Sequence, residues 1–135
     1  MNFNAWINLP IKEVKRSKEF FAKLGATFVE HETETMFGIY LGKNKTQVMM
    51  FGHQEFEQFT QAKIADTQSL TEVLISMEAS SKAEVDELAR KVIKAGGAVF
   101  AGPETWNGWM YGMGFQDLDG HRWNIAFMDW ENQPK

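Results

Sequence analysis

The strand and helix signals of this chain are spelt out twice in the same order. FNAWINLPI reads as a strand, and KEVKRSKEFFAKLG follows it with Val14, Phe20, Phe21 and Leu24 on one helical stripe and Gly25 as the stop. ATFVEH, MFGIYLG and TQVMMFG then give three short strands. From residue 71 the order recurs. TEVLISMEA is a strand, and Ser81 with Glu84 forms a capping box before Val85, Leu88, Ala89, Val92 and Ile93. GGAVFAG, WMYGMGFQD and HRWNIAF are again three strands, and the helix-to-strand junctions share letters, GATF at 25–28 and GAVF at 97–100. Three letters of four shared at the same place in two five-element patterns mark an internal repeat.

Two βαβββ modules make an α+β protein in which each curved mixed sheet is covered by a helix on one face. The inner faces are left to meet or to enclose a cleft, so function is expected on inward-facing positions. Module one spans 1–53 and module two 71–129, with a tail at 130–135. The linker 54–70 carries a short helix around Phe56 and Phe59. At 135 residues the whole is the size of one ordinary domain.

Composition narrows the partners. Net charge is −4 and the basic residues are scattered, so there is no footprint for nucleic acid. No apolar run approaches membrane-spanning length, and the N-terminus lacks the pattern of an export signal. The chain contains no cysteine, which removes disulfides, thiolate metal sites and a cysteine nucleophile together and suits a cytoplasmic location. Eleven Phe, five Trp and eight Met leave aromatic and soft apolar surface to be placed somewhere.

FQDLDGHRWNIAF, at 115–127, crowds two aspartates, a glycine and a histidine before a strand. Asp-Gly between apolar stretches is a hairpin signal, because glycine accepts positive φ and aspartate bonds the local backbone. Asp117, Asp119 and Gly120 are therefore read as structural, and His121 as a hydrogen-bonded residue at a strand start. Period two then puts Trp123, Ile125 and Phe127 on the helix side and Arg122, Asn124 and Ala126 on the inner side.

With INLPIKEVKRSKEFFAKLG, VLISMEASSKAEVDELARKVIKAGGAVF and FQDLDGHRWNIAF in view, nearly the whole chain resembles the vicinal oxygen chelate superfamily. That group holds glyoxalase I, extradiol dioxygenases, fosfomycin-modifying enzymes and bleomycin-binding resistance proteins. The MYG and DLDGH stretches are most similar to the subgroup labelled predicted lactoylglutathione lyase relatives. In metal-dependent members, inward side chains of the first, fourth, fifth and eighth strands hold a divalent ion. The resemblance carries those positions to Trp6, Met50, Glu72 and Asn124. One carboxylate, one amide, a thioether and an indole are a poor set for a hard cation, so no metal or other cofactor is expected.

A cleft lined by Trp6, Met50 and Tyr111 or Met113, with Asn4, Asn8, Glu72, Ser76, Arg122 and Asn124 as polar groups, suits a flat aromatic or cationic organic molecule. Two readings follow. One is a metal-independent binding protein of the bleomycin-resistance type. The other is a lyase or isomerase of the glyoxalase type, in which Glu72, desolvated in an aromatic cleft, acts as base or joins a reduced metal site. The loop and strand GPETWNGWMYGMG is an aromatic wall of that cleft, a dimer contact or plain core, and the resemblance implies a homodimer.

Overall fold

The computed structural model describes residues 1–134; Lys135, the last residue of the expected tail, lies outside them. The chain forms two compact units, the first Met1–Asp66 and the second beginning at Thr67.

The first unit runs β1 (Ile7–Ile11), α1 (Val14–Lys23), β2 (Thr27–Phe28), β3 (Met36–Leu41), β4 (Thr46–Gly52) and α2 (His53–Thr60). Its sheet has the order β1-β4-β3-β2, with β1 parallel to β4 and the other pairs antiparallel. Pairing puts Leu9 beside Met50 and Met50 beside Phe37, so these three share a face, as do Ile39 and Val48. All five are buried with Phe20 and Phe21 of α1, and the Phe21 and Phe37 rings lie 6.4 Å apart. Alternation turns Asn8, Gly38, Met49 and Phe51 away from α1. There Val29, Met36, Met49 and Phe51 form a second apolar cluster with Tyr40 and Phe56 against it.

The second unit repeats the plan with β5 (Leu74–Ala79), α3 (Lys82–Lys94), β6 (Ala98–Trp106), β7 (Met110–Gln116) and β8 (Arg122–Met128), then one 3-10 turn at Trp130–Asn132. The order β5-β8-β7-β6, with β5 parallel to β8, matches the first sheet strand for strand. Ser81 caps α3 by accepting from the Glu84 amide at 3.2 Å, and the Glu84 carboxylate accepts from the Ser80 amide at 2.8 Å. Val85, Ala89 and Val92 are buried, but Ile93 is 63% exposed. The apolar stripe is therefore one residue narrower than its spacing implied.

Strand boundaries differ from the sequence expectation, and of ATFVEH only Thr27–Phe28 is strand. β1 starts at Ile7 and β5 at Leu74, so Trp6 and Glu72 precede their strands; β6 continues to Trp106. The shared letters GATF and GAVF are also one residue out of structural register. The glycines that end the helices at positive φ are Gly25 and Gly96, and Ala26 and Gly97 bond back to Phe21 and Val92 in the same way. The equivalent stretches are thus 25–28 and 96–99, and the duplication rests on geometry more than on letters.

The Asp-Gly turn is structural, as its pattern implied. Asp117 Oδ1 accepts from the amides of Asp119 at 2.9 Å and His121 at 3.0 Å, while Oδ2 accepts from Trp123 Nε1 at 3.0 Å. Gly120 sits at φ 85, against the carbonyl of Thr67. Thr67 donates its hydroxyl to the Asp119 carbonyl, and the Gln68 amide donates to Leu118, which straps the chain entering the unit onto this turn. Burial pushes the Asp117 carboxyl above the usual aspartate range, against the opposing pull of His121 and the Trp123 N–H.

Candidate functional site

In the first unit the face turned away from α1 carries a hollow of about 610 Å³, lined in part by Asn4, Trp6, Lys45, Gln47, Met49 and Phe51. Asn8 stands beside Met49 in the β1–β4 pairing. Met49 lies over Gly38, where an added Cβ would come within 2.3 Å of its sulfur, so the glycine makes room for the thioether. Met50 does not contribute. It is fully buried on the α1 side, because β4 runs one residue out of the assumed phase and a one-residue change of phase exchanges the faces.

Lys45 reaches the hollow from a turn in which its own φ is 53, and its ammonium stands 5.4 Å from the centre of the Tyr40 ring. The Tyr40 hydroxyl donates to Glu30 at 2.7 Å. That bond lowers the Glu30 pKa and raises that of Tyr40.

In the second unit the face turned away from α3 is built in rows. Arg122 lies between Gln116 and Leu74, Asn124 between Gly114 and Ser76, and Ala126 between Gly112 and Glu78. The glycines of MYGMG leave room for rings from β6. A Cβ on Gly114 would meet Phe100 at 2.5 Å, and one on Gly112 would meet Trp106 at 2.5 Å. The Arg122 guanidinium rests on Phe100, 4.5 Å from the ring centre, and Trp106 Nε1 donates to Glu104 at 2.9 Å.

Tyr111 is not part of this face. Its hydroxyl donates to Asp86 of α3 at 2.5 Å and its ring lies 5.6 Å from the Lys82 ammonium, so it points to the helix side, where Met113 is fully buried. The bond to Asp86 raises the Tyr111 pKa. Glu72 lies exposed in the bend before β5, where nothing takes its carboxylate out of water. Of the residues singled out from sequence, Trp6 and Asn8 thus fall on the reverse face of the first unit, and Ser76, Arg122 and Asn124 share that of the second. Sequence reasoning missed Met49 and Phe100, and it held Trp106 only as part of the aromatic stretch GPETWNGWMYGMG; the signal for the two rings was the alternating glycines Gly112 and Gly114.

Asn8 and Met49 are paired on the first sheet, and Ser76 and Asn124 on the second. Neither pair brings an anionic or imidazole donor, so neither fits a hard divalent ion. Among the described residues no three His, Asp or Glu side chains converge.

The family model of the Glyoxalase/Bleomycin resistance protein/Dioxygenase superfamily matches residues 5–125. The chain belongs to this superfamily. A hypothetical protein from S. aureus, SA1046, is 33% identical over 94% of this chain and 95% of its own, with a TM-score of 0.84. Two more distant structures share the fold. A glyoxalase/bleomycin resistance protein/dioxygenase family enzyme from Burkholderia phytofirmans PsJN is 18% identical, covering 91% of this chain and 96% of its own at TM-score 0.77. The fosfomycin resistance protein FosX of Listeria monocytogenes, complexed with Mn(II) and sulfate, is 14% identical, covering 98% and 94% at TM-score 0.71. No curated protein gives a significant sequence match. Among the described residues no helix is long and apolar enough to cross a membrane.

Proposed function

We propose that this member of the superfamily binds a small, flat, aromatic organic molecule on the helix-free sheet face of its first unit, without the divalent ion used by other members. The observation that carries the reading is the hollow of about 610 Å³ in which the Trp6 indole, the Met49 thioether and the Phe51 ring meet the amides of Asn4 and Gln47. Such a lining offers stacking area and neutral hydrogen bonds. A cationic ligand, equally open from sequence, is disfavoured by Lys45 at this hollow. The glyoxalase-type alternative needs a base in apolar surroundings, and Glu72 is exposed. Binding without turnover is therefore preferred.

The proposal includes a cytoplasmic homodimer. The chain lacks cysteine, and the Trp130 side chain is 61% exposed, surface that a second copy would cover.

The test is a fluorescence and NMR titration with three naphthalenes of similar size, neutral, anionic and cationic, on wild type and Trp6→Ala. Saturable binding of at least one of the three, weakened about tenfold or more by the substitution, is expected. A tightly held Ni, Zn, Mn or Fe, near one per chain in freshly purified protein, would remove the metal-free part of the proposal.

A further inference from the structure

We infer that Lys45 makes the hollow of the first unit selective for aromatic ligands that carry a negative charge. The inference deepens the reading above and rests on it. Among the described residues that line the hollow, Lys45 alone carries a formal charge; the others are amides, a threonine hydroxyl and apolar groups. The chain as a whole carries −4, so its general field does not draw an anion, and only a local cation can hold one here.

Lys45 is held in place from two sides. Its backbone sits at φ 53, a left-handed conformation uncommon for lysine, and its amide donates to the Gly42 carbonyl at 3.2 Å to close the turn before β4. From there the ammonium stands 5.4 Å from the centre of the Tyr40 ring. Tyr40 pairs with Gln47 across β3 and β4, and Gln47 lines the hollow, so the ring shares that face. A ring face attracts the cation without using up its three N–H donors. Glu30 shares this neighbourhood, but it does not line the hollow, and its carboxylate accepts from the Tyr40 hydroxyl at 2.7 Å. Its pKa is lowered first by that hydroxyl and last by Lys45, and Lys45 forms no ion pair with any carboxylate among the described residues. The ammonium is thus positioned but not neutralised. Asn44 and Gln47 bring amide N–H donors to the same hollow for the remaining lone pairs of an acid group.

The experiment titrates 2-naphthoate, 2-naphthalenesulfonate and 2-naphthol, which is neutral at pH 7, into wild type, Lys45→Gln, Lys45→Arg and Lys43→Gln, each checked for an unchanged unfolding midpoint. Lys45 is exposed, so wild type is expected to prefer naphthoate over naphthol by about fivefold. The sulfonate should share the preference, because an ammonium acts as a point charge. Lys45→Gln should bring the compounds to within about twofold of one another, and Lys45→Arg should retain the preference. Lys43 lies exposed on the same turn and does not line the hollow, so Lys43→Gln makes the same change in net charge and should leave the preference intact. If naphthol binds wild type as well as the two anions, if Lys45→Gln keeps the preference, or if Lys43→Gln removes it equally, the assignment to Lys45 is overturned while aromatic binding stands. If no naphthalene binds, whether neutral, anionic or cationic, the wider reading falls with it.

Discussion

The indole N–H of Trp123 donates to the carboxylate of Asp117 at 3.0 Å, and both residues are buried. This bond joins the Asp-Gly turn to β8, the strand that carries Arg122 and Asn124, so the turn sets where those two side chains begin.

Asp117→Ala leaves two backbone amides and one indole N–H without their acceptor inside the protein. A loss of about 3 kcal/mol is expected in urea denaturation followed by circular dichroism. Asp117→Asn should also destabilise, because one amide oxygen cannot serve both the turn and the indole. A loss under about 0.5 kcal/mol in either variant would show that the turn is held by other means.

The chain has only two tyrosines, and both donate to carboxylates, Tyr40 to Glu30 and Tyr111 to Asp86. Each pKa is raised, first by that hydrogen bond. The folded state holds these phenolic protons more tightly than the unfolded chain does. The stabilisation is therefore complete below the ordinary tyrosine pKa of about 10 and is lost as pH rises through the higher folded values. Absorbance titration at 295 nm should place the native tyrosine transition above the one measured in urea. Coincident transitions contradict both bonds.

Met50 and Trp6 should separate under truncation. Met50 is fully buried on the α1 side, so Met50→Ala is expected to cost about 3 kcal/mol by emptying core volume. Trp6 is 59% exposed, and Trp6→Ala should change stability by less than about 0.5 kcal/mol while weakening ligand binding. Equal stability losses would mean that the faces of β1 and β4 are wrongly assigned.

Two glycines at similar positive φ give a controlled pair. Gly120, at φ 85, has the Thr67 carbonyl oxygen 2.3 Å from where a Cβ would lie, whereas Gly108, at φ 79, has nothing within 4 Å. Gly108→Ala is expected to cost about 1 kcal/mol from backbone strain alone. Gly120→Ala should cost about 3 kcal/mol or more, since the carbonyl has no room to yield. Comparable midpoints in thermal melts would remove Thr67 from contact with the turn.

The division of β8 was legible because the strand alternates cleanly: large apolar Trp123, Ile125 and Phe127 against Arg122, Asn124 and Ala126. The Asp-Gly turn was legible for a similar reason, since its chemistry is local to five residues. β4 was not. In TQVMMFG both faces are apolar, because Val48 and Met50 enter the core under α1 while Met49 and Phe51 form the cluster on the reverse face. Composition then carries no phase, and only the partners on β1 and β3 fix it. Tyr111 misled in a related way. An aromatic beside glycines suits a ligand wall, and its bond to Asp86 of α3 depends on a helix 25 residues away in sequence.

The sequence by itself determined the duplicated order of elements, the caps and turns that bound them, and the lack of cysteine chemistry. These depend on residues close together along the chain, where periodicity and backbone preference act directly. Only the tertiary structure decided that Met49 rather than Met50 faces the hollow, and that Arg122 stacks on Phe100 instead of pairing with Glu72. Those outcomes turn on strand phase and on which side chains pack over a glycine, and both are set by contacts between segments far apart in the chain.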